Sequence, residues 1–396
     1  MRILFYLSRY PGYGGIEGVT TCLANWFVGY VEHVFIYSFD SQDKLGLLSK
    51  LDKYVNYYEA SEKGNFISKR NMLQLKSILI EERVNIIIYQ DSYAPIEDLL
   101  LEAIEGLDIK LWVVEHNTPD YALKAFRFAR VDNKWHKIRR RLFYPLYLYR
   151  IECFIKNRHS VLYDKSDKYI LLSKRFIPVF RQFVPNAEKP KLFYINNPIT
   201  LPRGIDCLKK KKICLYSGRL ETQKGINYLL EIWKEIEKRK KDWILMIVGD
   251  GTEREYVKQY IDFYNLHQIQ MEGYQTDVLK YYNEAKILCM TSIYEGWPLS
   301  LGEAMTNGCV PILFNSYAAA EEIVINGETG FLIKPFNVES YVKHLLFMMD
   351  NPSILEQMRK AVIKSSEKFT IKSIGEQWLS CLNINTIFNS DENYSY

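Results

Sequence analysis

Short, mostly apolar runs alternate with longer amphipathic runs through most of the chain. The apolar runs are typical of parallel strands buried on both faces, and the amphipathic runs predict the helices that connect them. In the first half we predict strands at 2–7, 34–39, 85–90, 111–114, 168–172 and 191–196, and helices at 16–30, 68–82 and 96–105. This alternation indicates an α/β fold.

The alternation stops at 198–211, where two prolines, a glycine and a lysine run predict a linker. It restarts with strands at 213–217, 243–248, 269–272, 287–290 and 310–314, and helices at 226–238, 253–264, 277–284 and 300–307. A chain of 396 residues is long enough for two cores. We therefore predict two domains, 1–200 and 201–370, followed by a C-terminal helix and a polar tail at 371–396.

Two carboxylates flank the loop that follows the strand at 287–290. Glu295 lies in this loop and Glu303 in the helix after it, at an edge of the sheet where α/β proteins bind ligands. The backbone N–H groups of Leu299 and Ser300, at the helix start, suit a phosphate. A phosphate with one carboxylate on either side fits a nucleotide sugar. As an alternative, Ser300 and Glu303 match a capping box, which needs no ligand.

Two cations flank a turn after the strand at 213–217. Arg219 follows Gly218, and Lys224 precedes Gly225. A guanidinium and an ammonium group at such a turn can clamp a diphosphate, although two solvated cations on a surface loop would give the same pattern. A second turn, Gly249-Asp250-Gly251, follows the next strand, and Tyr274 after the strand at 269–272 could flank a base.

The N-terminal half offers two candidate features. Gly12, Gly14 and Gly15 follow the first strand, where glycines let a ligand approach the backbone, but Glu17 replaces the third glycine of the dinucleotide fingerprint. A tight turn without a ligand remains the alternative. His116 follows the strand at 111–114, at the edge where ligands bind, or else serves only as a structural hydrogen-bonding group.

Residues 124–159 are strongly basic and aromatic. They contain eleven Lys and Arg residues against two acids, a net charge of +9 within a chain of +5, so the remainder carries −4. Basic residues among large aromatic ones on a helix suggest a surface that lies on anionic lipid. Nucleic acid is a rival partner, but we find no recognisable nucleic-acid module. The further alternative is a solvated basic helix whose aromatic residues pack inward.

Several classes are disfavoured. No run reaches the roughly 18 apolar residues of a spanning helix, and Met1-Arg2 leads straight into a strand without a signal peptide. The seven cysteines include no C-x-x-C pair, which suggests reduced thiols and a cytoplasmic location. No D-x-D motif occurs and the six histidines are scattered, so we expect no catalytic metal.

Together the motifs resemble family 4 of the retaining glycosyltransferases, the glycosyl transferases group 1. The resemblance rests, in chain order, on Gly14-Gly15-Ile16-Glu17, Glu115-His116-Asn117, Asn197-Pro198, Gly218-Arg219 with Lys224-Gly225, Gly249-Asp250-Gly251, Glu295 with Glu303, and 326–332. It implies the GT-B architecture, two Rossmann-like domains facing across a cleft. The first domain would bind the acceptor and the second the nucleotide sugar, with the C-terminal helix returning to the first.

The resemblance also implies roles for single residues. Arg219 and Lys224 would neutralise the donor diphosphate as it leaves, Glu303 would hold the ribose, and Glu295 and His116 would bond the transferred sugar. Gly15 would line the phosphate side of the cleft. Two departures matter. Pro298 has no N–H for the sugar, and Gly12 replaces the lysine of bacterial glucan synthases, which argues against ADP-glucose as donor.

We therefore expect a metal-independent, retaining glycosyltransferase of the hexosyltransferase type that uses a UDP-sugar. The resemblance points to a saccharide or polyprenyl-diphosphate-linked acceptor, in capsule, lipopolysaccharide or other surface polysaccharide biosynthesis. The protein would lie on the cytoplasmic face of the membrane through 124–159. Two alternatives stay open, a UDP-sugar 2-epimerase of the same architecture and a non-catalytic partner subunit. The complete Arg, Lys and Glu set argues against both.

Overall fold

The computed structural model describes residues 1–12, 14–41, 46–92, 94–129, 134–188, 190–204 and 210–384. They divide into two compact units. The N-terminal unit holds Met1–Pro119, Arg150–Thr200 and the residues from Thr370 onward, and the C-terminal unit holds Asp120–Tyr149 and Leu201–Phe369. Parts of four predicted features lie outside the described residues, namely Tyr13 of the glycine turn, 130–133 of the basic segment, 205–209 of the linker and the tail at 385–396.

A seven-stranded parallel sheet forms the centre of the N-terminal unit. Its strands are β1 (Arg2–Arg9), β2 (His33–Asp40), β3 (Val55–Glu59), β4 (Ile86–Tyr89), β5 (Lys110–Glu115), β6 (Lys168–Leu171) and β7 (Leu192–Tyr194). The spatial order β3-β2-β1-β4-β5-β6-β7 reverses between β1 and β4. Loops that leave neighbouring strands in opposite directions open a crevice at this point.

Helices of the first 200 residues are α1 (Gly15–Val28), α2 (Lys69–Glu81), α3 (Glu97–Ile104), α4 (Tyr121–Phe128), α5 (Lys134–Leu142), α6 (Tyr144–Lys165) and α7 (Phe176–Phe183). The core is dense around β1, where Ile3 to Leu7 are all buried. Among the described residues, no helix has both the length and the apolar character that crossing a membrane requires.

The C-terminal unit is built on a six-stranded parallel sheet. Its strands are β8 (Lys211–Ser217), β9 (Ile244–Val248), β10 (Ile269–Gly273), β11 (Ala285–Met290), β12 (Val310–Phe314) and β13 (Phe331–Ile333), and its helices after the linker are α8 (Ile226–Glu237), α9 (Arg254–Tyr264), α10 (Leu279–Glu284), α11 (Leu299–Thr306), α12 (Ala320–Ile323), α13 (Val338–Asp350) and α14 (Pro352–Ser366). The order β10-β9-β8-β11-β12-β13 reverses between β8 and β11. The prediction of two parallel-sheet α/β units is confirmed.

The last described helix, α15 (Ile371–Cys381), packs within the N-terminal unit. Its Trp378 ring lies 6.2 Å from the ring of Phe27 and 6.2 Å from that of Trp112. The apolar side of this helix is thus buried by α1 and β5, which explains why the chain returns to its first sheet.

The segment 120–149 differs from the predicted division of the chain. The prediction placed it in the first domain, whereas it packs with the C-terminal unit. On α4, the Tyr121 ring lies 5.7 Å from that of Tyr294, and the Phe128 ring lies 5.9 Å from that of Phe336. These aromatic contacts bring α4 onto the loop that carries Glu295.

Candidate functional site

The loop between β8 and α8 is held in place by the loop after β9. Leu220 N–H donates to the Asp250 carbonyl oxygen at 2.9 Å, and Glu253 N–H donates to the Leu220 carbonyl oxygen at 2.8 Å. Gly249 has a φ of 137°, and a Cβ at this position would collide with the Gly218 carbonyl oxygen. The Gly249-Asp250-Gly251 motif therefore lets two loops pack backbone to backbone, which orients the predicted clamp.

Lys224 and Glu295 form a buried ion pair. Lys224 Nζ lies 2.7 Å from Glu295 Oε1, and the Ser292 hydroxyl donates to the same oxygen at 2.7 Å. The two side chains are 17% and 7% exposed. Neither contact uses Oε2, so this oxygen can serve a ligand. The pair joins the loops after β8 and β11, the two strands at which the strand order reverses.

A glycine allows this approach. Gly225 adopts a φ of 61°, and a Cβ there would collide with the carbonyl oxygen of Thr291, just beyond the end of β11. Ile293 N–H also donates to the Gln223 carbonyl oxygen at 2.8 Å. The two loops are thus joined by backbone contacts as well as by the ion pair.

Arg219 has a different environment. Its guanidinium is 67% exposed and pairs with Glu221 at 2.9 Å. An exposed pair of this kind contributes only about 0–1 kcal/mol, so the guanidinium can leave it for a ligand at little cost. Its backbone is fixed more firmly, because the buried Tyr216 hydroxyl donates to the Arg219 carbonyl oxygen at 2.7 Å.

The structure excludes the capping-box interpretation of Glu303. Helix α11 begins at Leu299 and its N-cap is Pro298, so Ser300 is already the second helical residue and does not cap. Leu299 and Ser300 supply backbone N–H groups of the first turn, as the prediction requires. Glu303 lies further inside the helix, where its carboxylate is not needed to start it.

Glu303 is instead held by a buried tyrosine. The Tyr282 hydroxyl lies 3.1 Å from Glu303 Oε2 and 3.0 Å from Ser217 Oγ. Burial, and then the charge of Glu303, raise the pKa of Tyr282, so the phenol keeps its proton and donates to the carboxylate. The sequence analysis did not identify Tyr282, because the pair is 21 residues apart and no local motif marks it.

Tyr274 lies at the same edge of the sheet but further away. It follows β10, which β9 and β8 separate from β11, a distance of roughly 14 Å across the sheet at the usual strand spacing. Its side chain is half exposed. A ligand that reaches both Tyr274 and Glu303 would therefore have to extend along the strand ends, as a nucleotide could.

In the N-terminal unit, His116 meets two polar side chains. Its Nε2 bonds the Oε1 of Gln90, and its Nδ1 lies 3.5 Å from the Nδ2 of Asn197. Burial lowers the pKa of His116 to about 3, so the ring is neutral near pH 7. Two predicted motifs, at 115–117 and 197–198, therefore converge. Gly15 starts α1, which packs along the segment after Asn197, with Cys22 Sγ 4.0 Å from the Ile199 carbonyl oxygen.

Comparison with known proteins identifies the C-terminal unit. Residues 202–368 match the family model of the glycosyl transferases group 1. These residues belong to that family. Arg219, Lys224, Glu295 and Glu303 all lie within the matched range.

Curated relatives of the glycosyltransferase segment include two bacterial proteins. An uncharacterized glycosyltransferase of Haemophilus influenzae is 34% identical over 190 residues, which cover 48% of this chain and 54% of the relative. A poly(ribitol-phosphate) alpha-N-acetylglucosaminyltransferase of Staphylococcus aureus is 24% identical over 56% of this chain and 47% of the relative. The chain thus spans about half the length of the curated relatives it matches.

Solved structures match over nearly the whole chain. HepE of Anabaena, in complex with UDP and glucose, superposes with a TM-score of 0.75 at 17% identity, covering 97% of this chain and 99% of the other. TarM of S. aureus, in a complex that contains UDP, superposes with a TM-score of 0.73 at 14% identity, covering 96% and 99%. The chain has the GT-B fold.

The ion pair leads to a stability prediction. Replacing Lys224 by Met leaves a buried carboxylate without its cation, and such changes cost about 3–5 kcal/mol. Lys224→Met should therefore lower the free energy of unfolding by this amount in urea denaturation, and Lys224→Met with Glu295→Gln should recover part of it. Arg219→Met is the matched control, with an expected loss of at most about 1 kcal/mol. Equal losses in the two single variants would contradict the assigned environments.

A second prediction concerns the loss of folding stability at low pH. Burial also lowers the pKa of His159, to about 4, so both histidines stay neutral in the folded protein below pH 6.5, whereas the unfolded chain takes up protons. Stability should therefore fall as the pH drops below 6.5, by about 2 kcal/mol per histidine at pH 5. The measurement compares unfolding free energies at pH 7.5 and pH 5. In His116→Asn the difference should shrink by about 2 kcal/mol, and an unchanged difference would contradict the burial of a neutral ring.

Proposed function

We propose that the protein is a retaining glycosyltransferase that moves a sugar from a nucleoside-diphosphate sugar, with UDP as the expected nucleotide. The supporting observation is the convergence of Arg219, Lys224, Glu295 and Glu303 on the strand ends of one sheet, within the glycosyl transferases group 1 segment. The proposed acceptor is a saccharide or lipid-linked saccharide of a bacterial surface polysaccharide. The names of relatives support this class, among them an amylovoran biosynthesis glycosyltransferase and a transferase acting on an undecaprenol-linked saccharide.

The charges fit the departure of a diphosphate. Lys224 Nζ has three protons, of which Glu295 uses one, so it can donate to a phosphate while it keeps the ion pair. Arg219 can swing from Glu221 to the same group and bind it through two nitrogens. The N–H groups at the start of α11 add further positive potential. With these cations in place, the proposed reaction needs no divalent metal.

The two carboxylates have separate tasks in this proposal. Glu303, held by Tyr282, accepts the ribose hydroxyls. Glu295 offers Oε2 to a hydroxyl of the transferred sugar. Neither acts as a nucleophile, because retention would follow from attack on the face that the diphosphate leaves, with the leaving phosphate helping to deprotonate the acceptor.

The rate of sugar transfer tests the proposed diphosphate clamp of Arg219 and Lys224. Arg219→Ala should lower the rate of UDP release from a UDP-sugar in the presence of acceptor saccharides by about 10²–10³, the usual loss when one donor to a developing charge is removed. The fold should remain, because the guanidinium is exposed. Lys212→Ala is the control, since it removes an exposed cation, paired with Asp242, from the strand that precedes Arg219. Full activity of Arg219→Ala would overturn the assignment, and loss of wild-type activity in EDTA would overturn metal independence.

Calorimetry with free UDP separates the two glutamates. Glu303→Gln should weaken binding about tenfold, since a charge-assisted bond to the ribose is lost. Tyr282→Phe should have a smaller effect in the same direction. Glu295→Gln should leave UDP binding nearly intact and reduce turnover. If Glu303→Gln binds UDP like the wild type, Glu303 does not hold the ribose.

An anionic membrane surface is the second partner we propose. Large apolar side chains on α5 and on the start of α6 are exposed at intervals of three or four residues, which places those of each helix on one side of it. This docking stripe consists of Trp135, Ile138, Leu142, Leu146 and Tyr149, of which Trp135 is 79% and Leu142 70% exposed. Exposed Arg139 and Arg141 lie beside it in sequence. Other aromatic residues of the segment do pack inward. The Phe126 ring lies within 5.9 Å of the rings of Tyr144 and Tyr147, and the Phe128 ring packs against that of Phe336.

Arg140 has a structural role instead. It donates to the Ala129 carbonyl oxygen at 2.7 Å and to the Phe126 carbonyl oxygen, and it lies 4.6 Å above the Phe126 ring. These contacts fasten α5 to α4. A test of lipid binding should therefore leave Arg140 in place.

Vesicle sedimentation measures the docking. The wild type should bind vesicles that contain phosphatidylglycerol, bind more weakly at high salt, and ignore phosphatidylcholine vesicles, because the attraction is screened within about 8 Å at physiological salt. Arg139→Ser with Arg141→Ser should weaken binding roughly 30-fold, at about 1 kcal/mol for each arginine. Lys211→Ser with Lys212→Ser removes two exposed cations elsewhere and should have little effect. A wild type that ignores anionic vesicles at low salt would overturn the proposal.

A further inference from the structure

Gln90 and His116 follow two neighbouring strands of the N-terminal sheet. Each is the first residue after its strand, β4 and β5, and these strands pair in parallel. Gln90 is completely buried and His116 nearly so. The short contact between Gln90 Oε1 and His116 Nε2 is therefore shielded from water. A shielded bond of this kind is stronger than an exposed one, so it can fix the state of the ring.

The partners of the ring determine its tautomer. Gln90 presents a carbonyl oxygen to Nε2, and this contact requires a proton on Nε2. Asn197 presents its amide nitrogen to Nδ1, a contact that requires a lone pair there. A neutral ring meets both requirements only with its proton on Nε2.

The two contacts differ in strength. The Asn197 contact, at 3.5 Å, is at the outer limit of a hydrogen bond, whereas the Gln90 contact is short. Nδ1 can therefore exchange its partner for a ligand hydroxyl at little cost, while Nε2 stays with Gln90.

A glutamine at position 90 destabilises the fold more than an apolar residue of similar size would. Its Nε2 is buried and has no hydrogen-bond partner within the part of the chain that the structure describes. An unsatisfied buried donor costs about 1–3 kcal/mol, which a leucine or methionine of similar size would avoid. The contact of Oε1 with His116 is what distinguishes glutamine from those residues at this position.

We propose that Gln90 is a positioning residue that holds His116 in the Nε2–H tautomer and so presents Nδ1 as an acceptor for a hydroxyl of the donor sugar. The inference rests on the proposed function for the identity of the ligand. The tautomer also fixes the direction of the hydrogen bond between His116 and the sugar, because Nδ1 accepts and the sugar hydroxyl donates. A carboxylate at position 90 would stabilise a charged ring, whereas a glutamine keeps it neutral.

Nitrogen NMR of ¹⁵N-histidine-labelled protein tests the tautomer directly. The wild type should show a protonated Nε2 and an unprotonated Nδ1 for His116, assigned by the loss of these signals in His116→Asn. Gln90→Leu should give a mixture of tautomers, and Gln90→Glu should shift the ring towards the charged form, with protons on both Nε2 and Nδ1. Gln74→Leu, which removes another glutamine of the same unit bonded to Glu59 and Ser61, should leave the His116 signals unchanged.

Kinetics supplies the second measurement. Gln90→Leu should lower kcat for sugar transfer about tenfold and leave binding of free UDP unchanged. Gln90→Glu should not restore kcat, because a charged ring has no lone pair on Nδ1 for the sugar hydroxyl. A wild-type proton on Nδ1, or wild-type spectra and kcat in Gln90→Leu, would overturn the inference. If the wild type transfers no sugar from any nucleotide sugar, the proposed function fails, and the spectra still decide whether Gln90 fixes the ring.

Discussion

The buried pair of Lys224 and Glu295 is the contact on which the candidate site depends. Taking two charges out of water costs several kcal/mol for each ion, and the pair is tolerated only because its geometry is good and Ser292 adds a further hydrogen bond. The loops must therefore approach closely, which Gly225 permits by its left-handed backbone. The result is a cation fixed at the reversal point of the sheet before any ligand arrives. A fixed cation does not have to reorganise when a phosphate leaves, which is the advantage of a preorganised site.

The two glutamates show how environment separates groups of identical chemistry. Glu295 faces an ammonium group, whereas Glu303 faces a neutral phenol and lies on the first helix after the same loop. An ammonium partner compensates the charge of Glu295, whereas a phenol donates a hydrogen bond to Glu303. In the proposed function, Glu303 accepts the ribose hydroxyls. Glu295 is better suited to accept a single hydrogen bond at Oε2, which neither Lys224 nor Ser292 contacts.

The strands and the charged residues of the site could be predicted from the sequence, but their supporting partners could not. Apolar runs mark buried strands clearly, and only β3, which is partly polar and partly exposed, and β13, with three residues, were missed. Tyr282 and Gln90 support Glu303 and His116 through contacts that depend on which strands become neighbours, and no local pattern encodes them. The packing of 120–149 with the C-terminal unit could not be predicted for the same reason. Its basic residues are visible in the sequence, but the partner of Phe128 is Phe336, more than two hundred residues away.

That packing changes what the basic segment can do. The docking stripe was expected in the first domain, with the acceptor, but it belongs to the unit that holds Lys224, Glu295 and Glu303. Helix α4 precedes the stripe in sequence and links it to the site. Arg140, on the same helix as the first part of the stripe, donates to the carbonyl oxygens at the end of α4, and the Tyr121 ring packs edge-on against that of Tyr294, the neighbour of Glu295. A membrane bound at the stripe would therefore orient the unit that we propose binds the nucleotide sugar. The proposed donor would then be held by a unit fixed to the lipid surface, where a lipid-linked acceptor also lies.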